Sequence, residues 1–473
     1  MKKTAFFILS FTSLFAIQEG SYIQFQEAQS KAEGQDAIEE SYENPFLDSI
    51  KAPTEVKELT LQQKITNYFG TFVTSSPYPG VRATFEGNEL MASLSNVNKD
   101  LQILLELSES TKYMEERGLP YPINPRIFMS GEIEFTGFVG KAATGRVSSD
   151  VDLTDAEIDF LIVAAPWLYG FINLSYEESA DSSMSFSRIE NSRIYSNSLF
   201  ITFGDFTKHP WYGTIGQVYI PYGQYSTYAA VYNPLTKTLF RTLSREVALG
   251  FFNDTFQFAA YVFKGDSHAD SGNNINNYGV NLGTHFTYNS FDGKIAVGAI
   301  RNIADSAGMQ ALFADTQRYE KLRHVVPGLN VNGNFTLGNW NLLFEYNQAL
   351  RPFNPNDVSY SADGKTFKGA RPAAFDVELA YAFKIAKKPS SIALGYSRSF
   401  EALSFNVPKE RINLTWATYI FRGNLVSVEG STNKLYGKNA RVGGKTLGSL
   451  YYIDPSNLGK RDYSLAIDYL LYF

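Results

Sequence analysis

Cysteine is absent from this chain of 473 residues, and tryptophan and histidine number four each. Without thiols there is no disulfide framework, thiol nucleophile, thiolate-bound zinc or iron–sulfur cluster, and no lipid-modified cysteine anchor. Charge is sparse too. Asp, Glu, Lys and Arg make up 19% of the chain, with a formal net charge of −6. That is the wrong sign for the basic stripe a nucleic-acid partner needs. Beyond the N-terminus no apolar run approaches the roughly 18 residues of a membrane-spanning helix. Aromatic residues are abundant instead: 37 Phe and 30 Tyr, far more than a disordered chain carries.

Lys2 and Lys3 precede an apolar run from Ala5 to Ile17 that ends at Gln18-Glu19-Gly20. A basic start followed by a short apolar core has the form of a secretory signal peptide, here 1–20. Residues 21–126 then read as an acidic, polar spacer containing one helix over 88–109. In that helix Leu90, Leu94, Val97, Leu101 and Leu104 recur at alternating steps of four and three, the a/d spacing of a short coiled-coil seam. So short a helix is unstable alone and must pack on a second chain, on the next domain or inside it. Pro120, Pro122 and Pro125 close the segment.

From 127 to 473 the period changes to two. Ile133, Phe135, Gly137 and Val139 alternate with Glu132, Glu134, Thr136 and Phe138, and Phe375, Val377 and Leu379 alternate with Asp376, Glu378 and Ala380. Period two places each set on one face of a strand. Sixteen such segments follow one another, from 127–139 to 461–473, with connections that alternate long and short. An even number of strands of about ten residues, joined in that way, predicts an all-β transmembrane barrel of about 16 antiparallel strands. The helix before it becomes a periplasmic extension.

The second face carries carboxylates and amides, which lose several kcal/mol each if buried without partners. The expectation is therefore a water-lined interior and an apolar exterior against lipid. Tyr169, Tyr261, Tyr278, Tyr288, Tyr396 and Tyr419 stand near strand ends, as interfacial aromatic girdles do. The last strand alternates Tyr463, Leu465, Ile467, Tyr469, Leu471 and ends on Phe473. A terminal aromatic of this kind resembles the signal read by the barrel-insertion machinery.

Inside, Glu132, Glu134, Asp155, Glu157, Asp159, Glu429 and Asp468 fall on strands that adjoin once the sheet closes, and Glu345, Asp376 and Glu378 extend the wall. Carboxylate rings favour cations, unless Arg or Lys from elsewhere neutralises them. The third long connection, Pro221 to Phe240, holds Tyr222, Tyr225, Tyr228, Tyr232 and Asn233. A loop this aromatic either folds into the lumen, bringing Tyr222, Tyr225 and Asn233 to the solute path, or packs on the rim. His285 points into the lumen. Asp266-Ser267-His268-Ala269-Asp270 is a polar loop in which an adjacent Ser and His make no triad. No phosphate loop and no metal-ligand spacing occurs, so no cofactor is expected.

Val151 to Glu177, Gly216-Gln217-Val218-Tyr219-Ile220-Pro221-Tyr222-Gly223, Asn233-Pro234-Leu235-Thr236 and Tyr261-Val262-Phe263-Lys264-Gly265-Asp266 together resemble the legiobactin-receptor (LbtU-type) siderophore porins and related iron-uptake barrels of Francisella. The resemblance covers about 150–270, and those families also place a helical extension before the barrel. It implies passage of iron–siderophore complexes through the outer membrane without a TonB-coupled plug. The alternatives are a general-solute porin, an outer-membrane enzyme, and an adhesin or tether that self-associates or binds an envelope component through 88–109.

Overall fold

In the computed structural model the described residues are 71–73, 97–116, 118, 125–177, 193–267, 274–288, 290–314, 322–421, 424–444 and 455–472. The signal segment, Leu90, Leu94, His268 and Phe473 lie outside them. Helix α1 spans Lys99–Glu116. The barrel strands are β1 Arg126–Lys141, β2 Val147–Ala165, β3 Leu168–Glu177, β4 Leu199–Gly204, β5 Trp211–Tyr219, β6 Leu243–Phe252, β7 Phe256–Phe263 and β8 Asn277–Tyr288. The second half comprises β9 Phe291–Ile300, β10 Gly328–Leu337, β11 Trp340–Ala349, β12 Ala373–Ile385, β13 Lys388–Phe400, β14 Glu410–Phe421, β15 Asn424–Lys434 and β16 Arg461–Tyr472. Each pairs antiparallel with its neighbour in sequence, and β16 closes the ring on β1. Two short strands extend the sheet: Thr71–Val73, parallel to Arg126–Phe128, and Arg193–Tyr195, paired with the end of β3.

Alternation explains the closure. On β16, Leu465, Ile467 and Tyr469 are exposed while Ala466, Asp468 and Leu470 are buried, and β8 repeats this with Val280 and Leu282 against Asn281. Exposed apolar rows around a closed antiparallel sheet are the lipid face of a transmembrane barrel. The protein is a sixteen-strand barrel of the bacterial outer membrane. At the rim of the short turns stand exposed Trp167, Trp211, Phe256, Tyr288, Trp340 and Phe421, an aromatic belt at one interface, periplasmic by the shortness of its turns. Of the tyrosines expected there, Tyr169, Tyr261 and Tyr419 instead point inward and are buried. Their parity matches the lumenal row, and lumenal apolar partners receive them. Tyr169 and Phe171 lie in one cluster with α1, while Tyr261 and Phe263 lie in another with the third long connection.

One strand boundary also changes. The first long connection is a tight hairpin, because pairing continues through Val139–Ser149, Gly140–Ser148 and Lys141–Val147. Polar residues of a strand that projects beyond the bilayer look like loop residues in the sequence. On the same side, Val358–Ser361, Lys368–Gly369 and Arg441–Gly444 form a small sheet of three strands, joining two long connections.

Among the described residues much of the interior is filled. Asn330, Asn347, Glu429 and Asp468 are 0% exposed, which corrects the expected water-lined wall. An N-terminal helix and a long loop occupy the space and supply hydrogen-bond partners. The helix starts at Lys99, after Val97 has made a bridge to Tyr219. Leu101, Ile103, Leu104, Leu105 and Leu107 are all buried, in one cluster with the inward Phe128, Leu161, Tyr169, Phe171, Phe200 and Tyr212. Burial of both Ile103 and Leu105 beside the seam residues fits docking on a concave barrel wall, not a two-helix seam. The first turns of α1 therefore sit inside the barrel, one of the places the sequence left open for a periplasmic extension that cannot stand alone.

Candidate functional site

The connection between β5 and β6 folds into the lumen, with a short helix α2 at Leu235–Phe240. Three lumenal carboxylates hold its backbone. Glu345 of β11 accepts from the amides of Gln224 at 3.1 Å and Tyr225 at 2.5 Å. Glu378 of β12 accepts from Thr227 Oγ1 at 2.7 Å and from the Tyr228 amide at 2.6 Å. Glu429 of β15 accepts from the amides of Ala230, Val231 and Tyr232, the last at 3.1 Å. Beyond these, Arg411 Nη1 donates to the Asn233 carbonyl at 2.5 Å and Asn413 Nδ2 to the Tyr232 carbonyl at 2.6 Å. A typical intramolecular hydrogen bond contributes about 0.5–1.5 kcal/mol net, and together these anchors fix the loop firmly. They also hold Tyr225 at φ 56°, a left-handed conformation that costs of order 1–3 kcal/mol in a non-glycine residue. The approach is close enough that a Cβ on Gly298 of β9 would collide with the Tyr222 carbonyl.

Tyr222 and Tyr225, expected on the solute path, are instead fully buried between loop and wall. Burial pushes both phenols well above their usual pKa, so they stay protonated. Lys237 on α2 is buried as well, and burial pulls its ammonium well below the usual lysine range. Asp376 accepts from Ser397 Oγ, and Glu345 is also met by Asn330 Nδ2 at 2.6 Å, in a ladder of amides on β10 and β11.

The wall of β1 and β2 differs. Glu132 stands directly opposite Glu157, and Glu134 opposite Asp155, two successive like-charged cross-strand pairs on one face. Oxygens of Glu132, Asp155 and Glu157 all lie within 4.8 Å of one another. At an effective dielectric of about 20, charges this close repel by about 3–4 kcal/mol per pair. A bulge at Thr154 keeps Asp155 facing inward despite the register change. Compensation comes from α1: Lys99 Nζ lies 3.6 Å from Asp159 and 4.7 Å above the Phe171 ring. Burial works to lower the Lys99 pKa, but Asp159, Glu157 and Glu132 outweigh it and hold it above the usual value. Asn173 Nδ2 donates to Glu157 at 2.6 Å and to Asp159 at 2.7 Å. Next to Lys99, Asp100 accepts from Thr214 Oγ1 at 2.6 Å, and its carbonyl accepts from the Tyr169 hydroxyl. Glu134 and Asp155 stay half-buried, while Glu132 and Glu157 lie deeper. Asp468 links β16 to this wall by accepting from Thr136 Oγ1 at 2.7 Å.

The remaining candidates are dispersed. His285 faces inward at the periplasmic rim, where Nε2 meets Asp292 at 2.6 Å and Nδ1 the Asp254 carbonyl at 3.2 Å, far from the acidic wall in sequence and bound into a turn. Ser267 Oγ donates to Asp305 at 2.7 Å. Lys99, Asp100, Asn173, Lys237 and Arg411 complete the site but carry no local pattern that would single them out.

No family model matches the chain. It is 31% identical over 419 residues to a UPF0422 protein of Coxiella burnetii, covering 87% of this chain and 86% of the relative. It is 30% identical over 463 residues to one of Legionella pneumophila (strain Philadelphia 1), covering 92% and 85%. Similar solved structures include the outer membrane channel DcaP of Acinetobacter baumannii, with 12% identity, TM-score 0.46 and coverage of 73% and 97%. Another is an anion-selective porin from Comamonas acidovorans, with 8% identity, TM-score 0.48 and coverage of 74% and 100%. On its sequence relatives, the chain belongs to the UPF0422 protein family.

Proposed function

We propose that this barrel is an uptake channel for small, positively charged solutes. Iron–siderophore complexes are the cargo that its resemblance to siderophore porins suggests, passing without a TonB-coupled plug. One observation carries the reading: the five carboxylates Glu132, Glu134, Asp155, Glu157 and Asp159 outnumber the two lysines that act on them, Lys99 and Lys237, and Glu134 and Asp155 are only half-buried. A surplus of fixed negative charge in a narrow passage concentrates cations. The hydrogen-bonded, covered carboxylates Glu345, Glu378 and Glu429 present little charge to a solute and favour a second reading, a general-solute porin. Export through the segment 1–20, a spacer over 21–126 and insertion through the strand ending at Phe473 belong to both readings. Uptake of radioactive iron by a deletion strain, with and without purified siderophore, separates them. A siderophore-dependent loss of several-fold supports iron uptake, and equal uptake in both strains contradicts it.

A further inference from the structure

We propose that Glu132, Asp155 and Glu157 form a binding site for a hard divalent cation of calcium size on the lumenal face of β1 and β2. The three side chains offer oxygens within 4.8 Å of one another. Two ligands of one ion can be no further apart than twice the bond length, and calcium–oxygen bonds run 2.3–2.6 Å. That limit admits calcium, and three strand-borne carboxylates suit calcium's tolerant geometry better than magnesium, which demands a near-ideal octahedron and keeps several waters beside one or two carboxylates. An all-carboxylate donor set selects hard cations over zinc or copper.

The cluster alone would be an acidic wall. What marks it as a cation site is Glu132. It is 8% exposed, its Oε2 is buried with no hydrogen-bond partner, and one of its carboxylate oxygens lies within 4.8 Å of both Asp155 and Glu157. Lys99 makes no hydrogen bond to that oxygen, and its ammonium lies 3.6 Å from Asp159. Asn173 donates to Glu157 and Asp159 and leaves Glu132 untouched. The strand register compounds the problem, because Glu132–Glu157 and Glu134–Asp155 oppose one another directly. A divalent ion resolves both pairs at once, supplies the missing partner of Glu132 and ties β1 to β2 beside the docked helix. The site stands whatever solute passes the barrel.

The test uses the full chain refolded in detergent free of lipopolysaccharide, with folding checked by heat-dependent gel mobility. Calorimetric titration with calcium chloride is compared with magnesium chloride for wild type, Glu157→Gln and Asp155→Asn. The expected result is one calcium per chain, bound more tightly than magnesium and weakened at least tenfold by either substitution. Absence of saturable calcium binding in the wild type overturns the proposal, and so does equal binding by a folded variant. Magnesium binding more tightly overturns the size assignment. Should neither variant refold, crystals of the wild type soaked in manganese decide by anomalous scattering. An ion among the three carboxylates supports the site, and one elsewhere, or none, refutes it.

Discussion

Two walls of the same lumen carry the same residue type with opposite fates. On β11, β12 and β15 each glutamate meets backbone amides or a hydroxyl of the inserted loop, so negative charge becomes structure. On β1 and β2 the carboxylates face each other across the strands, with Lys99 and Asn173 as partners. The difference lies in what covers each wall. A loop offers a row of amides, whereas a helix docked through leucines offers few polar groups. Charge in a pore is thus not by itself a selectivity element: its partner decides.

The comparison can be broken most forcibly at Glu429. Glu429→Ala leaves the half-buried amides of Ala230, Val231 and Tyr232 without their acceptor. Each such loss costs about 1–3 kcal/mol, so the loop should detach and single-channel conductance in planar bilayers should rise several-fold. Unchanged conductance would mean that other contacts hold the loop. A smaller effect is expected at Asp100, whose carboxylate accepts from Thr214. Asp100→Ala should weaken helix docking by about 1–2 kcal/mol, seen as roughly tenfold faster amide exchange over 101–107. Exchange that does not change would detach Asp100 from the docking role.

Much of the fold was legible because lipid and lumen impose a strict two-residue alternation. The sixteen strands fall within a few residues of their expected positions, the largest shift being in the first hairpin, where Lys141 pairs with Val147. Inward orientation of Glu132, Asp155, Asp376 and Asp468 follows from the same parity. Insertion of Pro221 to Phe240 was legible as one of two fates of an aromatic loop. What parity could not tell was which carboxylate meets which partner. Glu345 and Tyr225 lie 120 residues apart, and Glu429 and Tyr232 197 apart, and no local pattern encodes such contacts. The heptad signal found Leu101 and Leu104 but misplaced the helix start, because leucines docking on a curved wall and leucines in a coiled coil share the same spacing.

We propose that the β1–β2 wall presents more of its charge to passing ions than the wall of β11, β12 and β15. The most direct test is the reversal potential of single channels in a potassium chloride gradient, for wild type, Asp155→Asn and Glu378→Gln. The account predicts a cation-selective wild type whose preference falls in Asp155→Asn and holds in Glu378→Gln. An anion-selective wild type, or an equal shift from both substitutions, would contradict it.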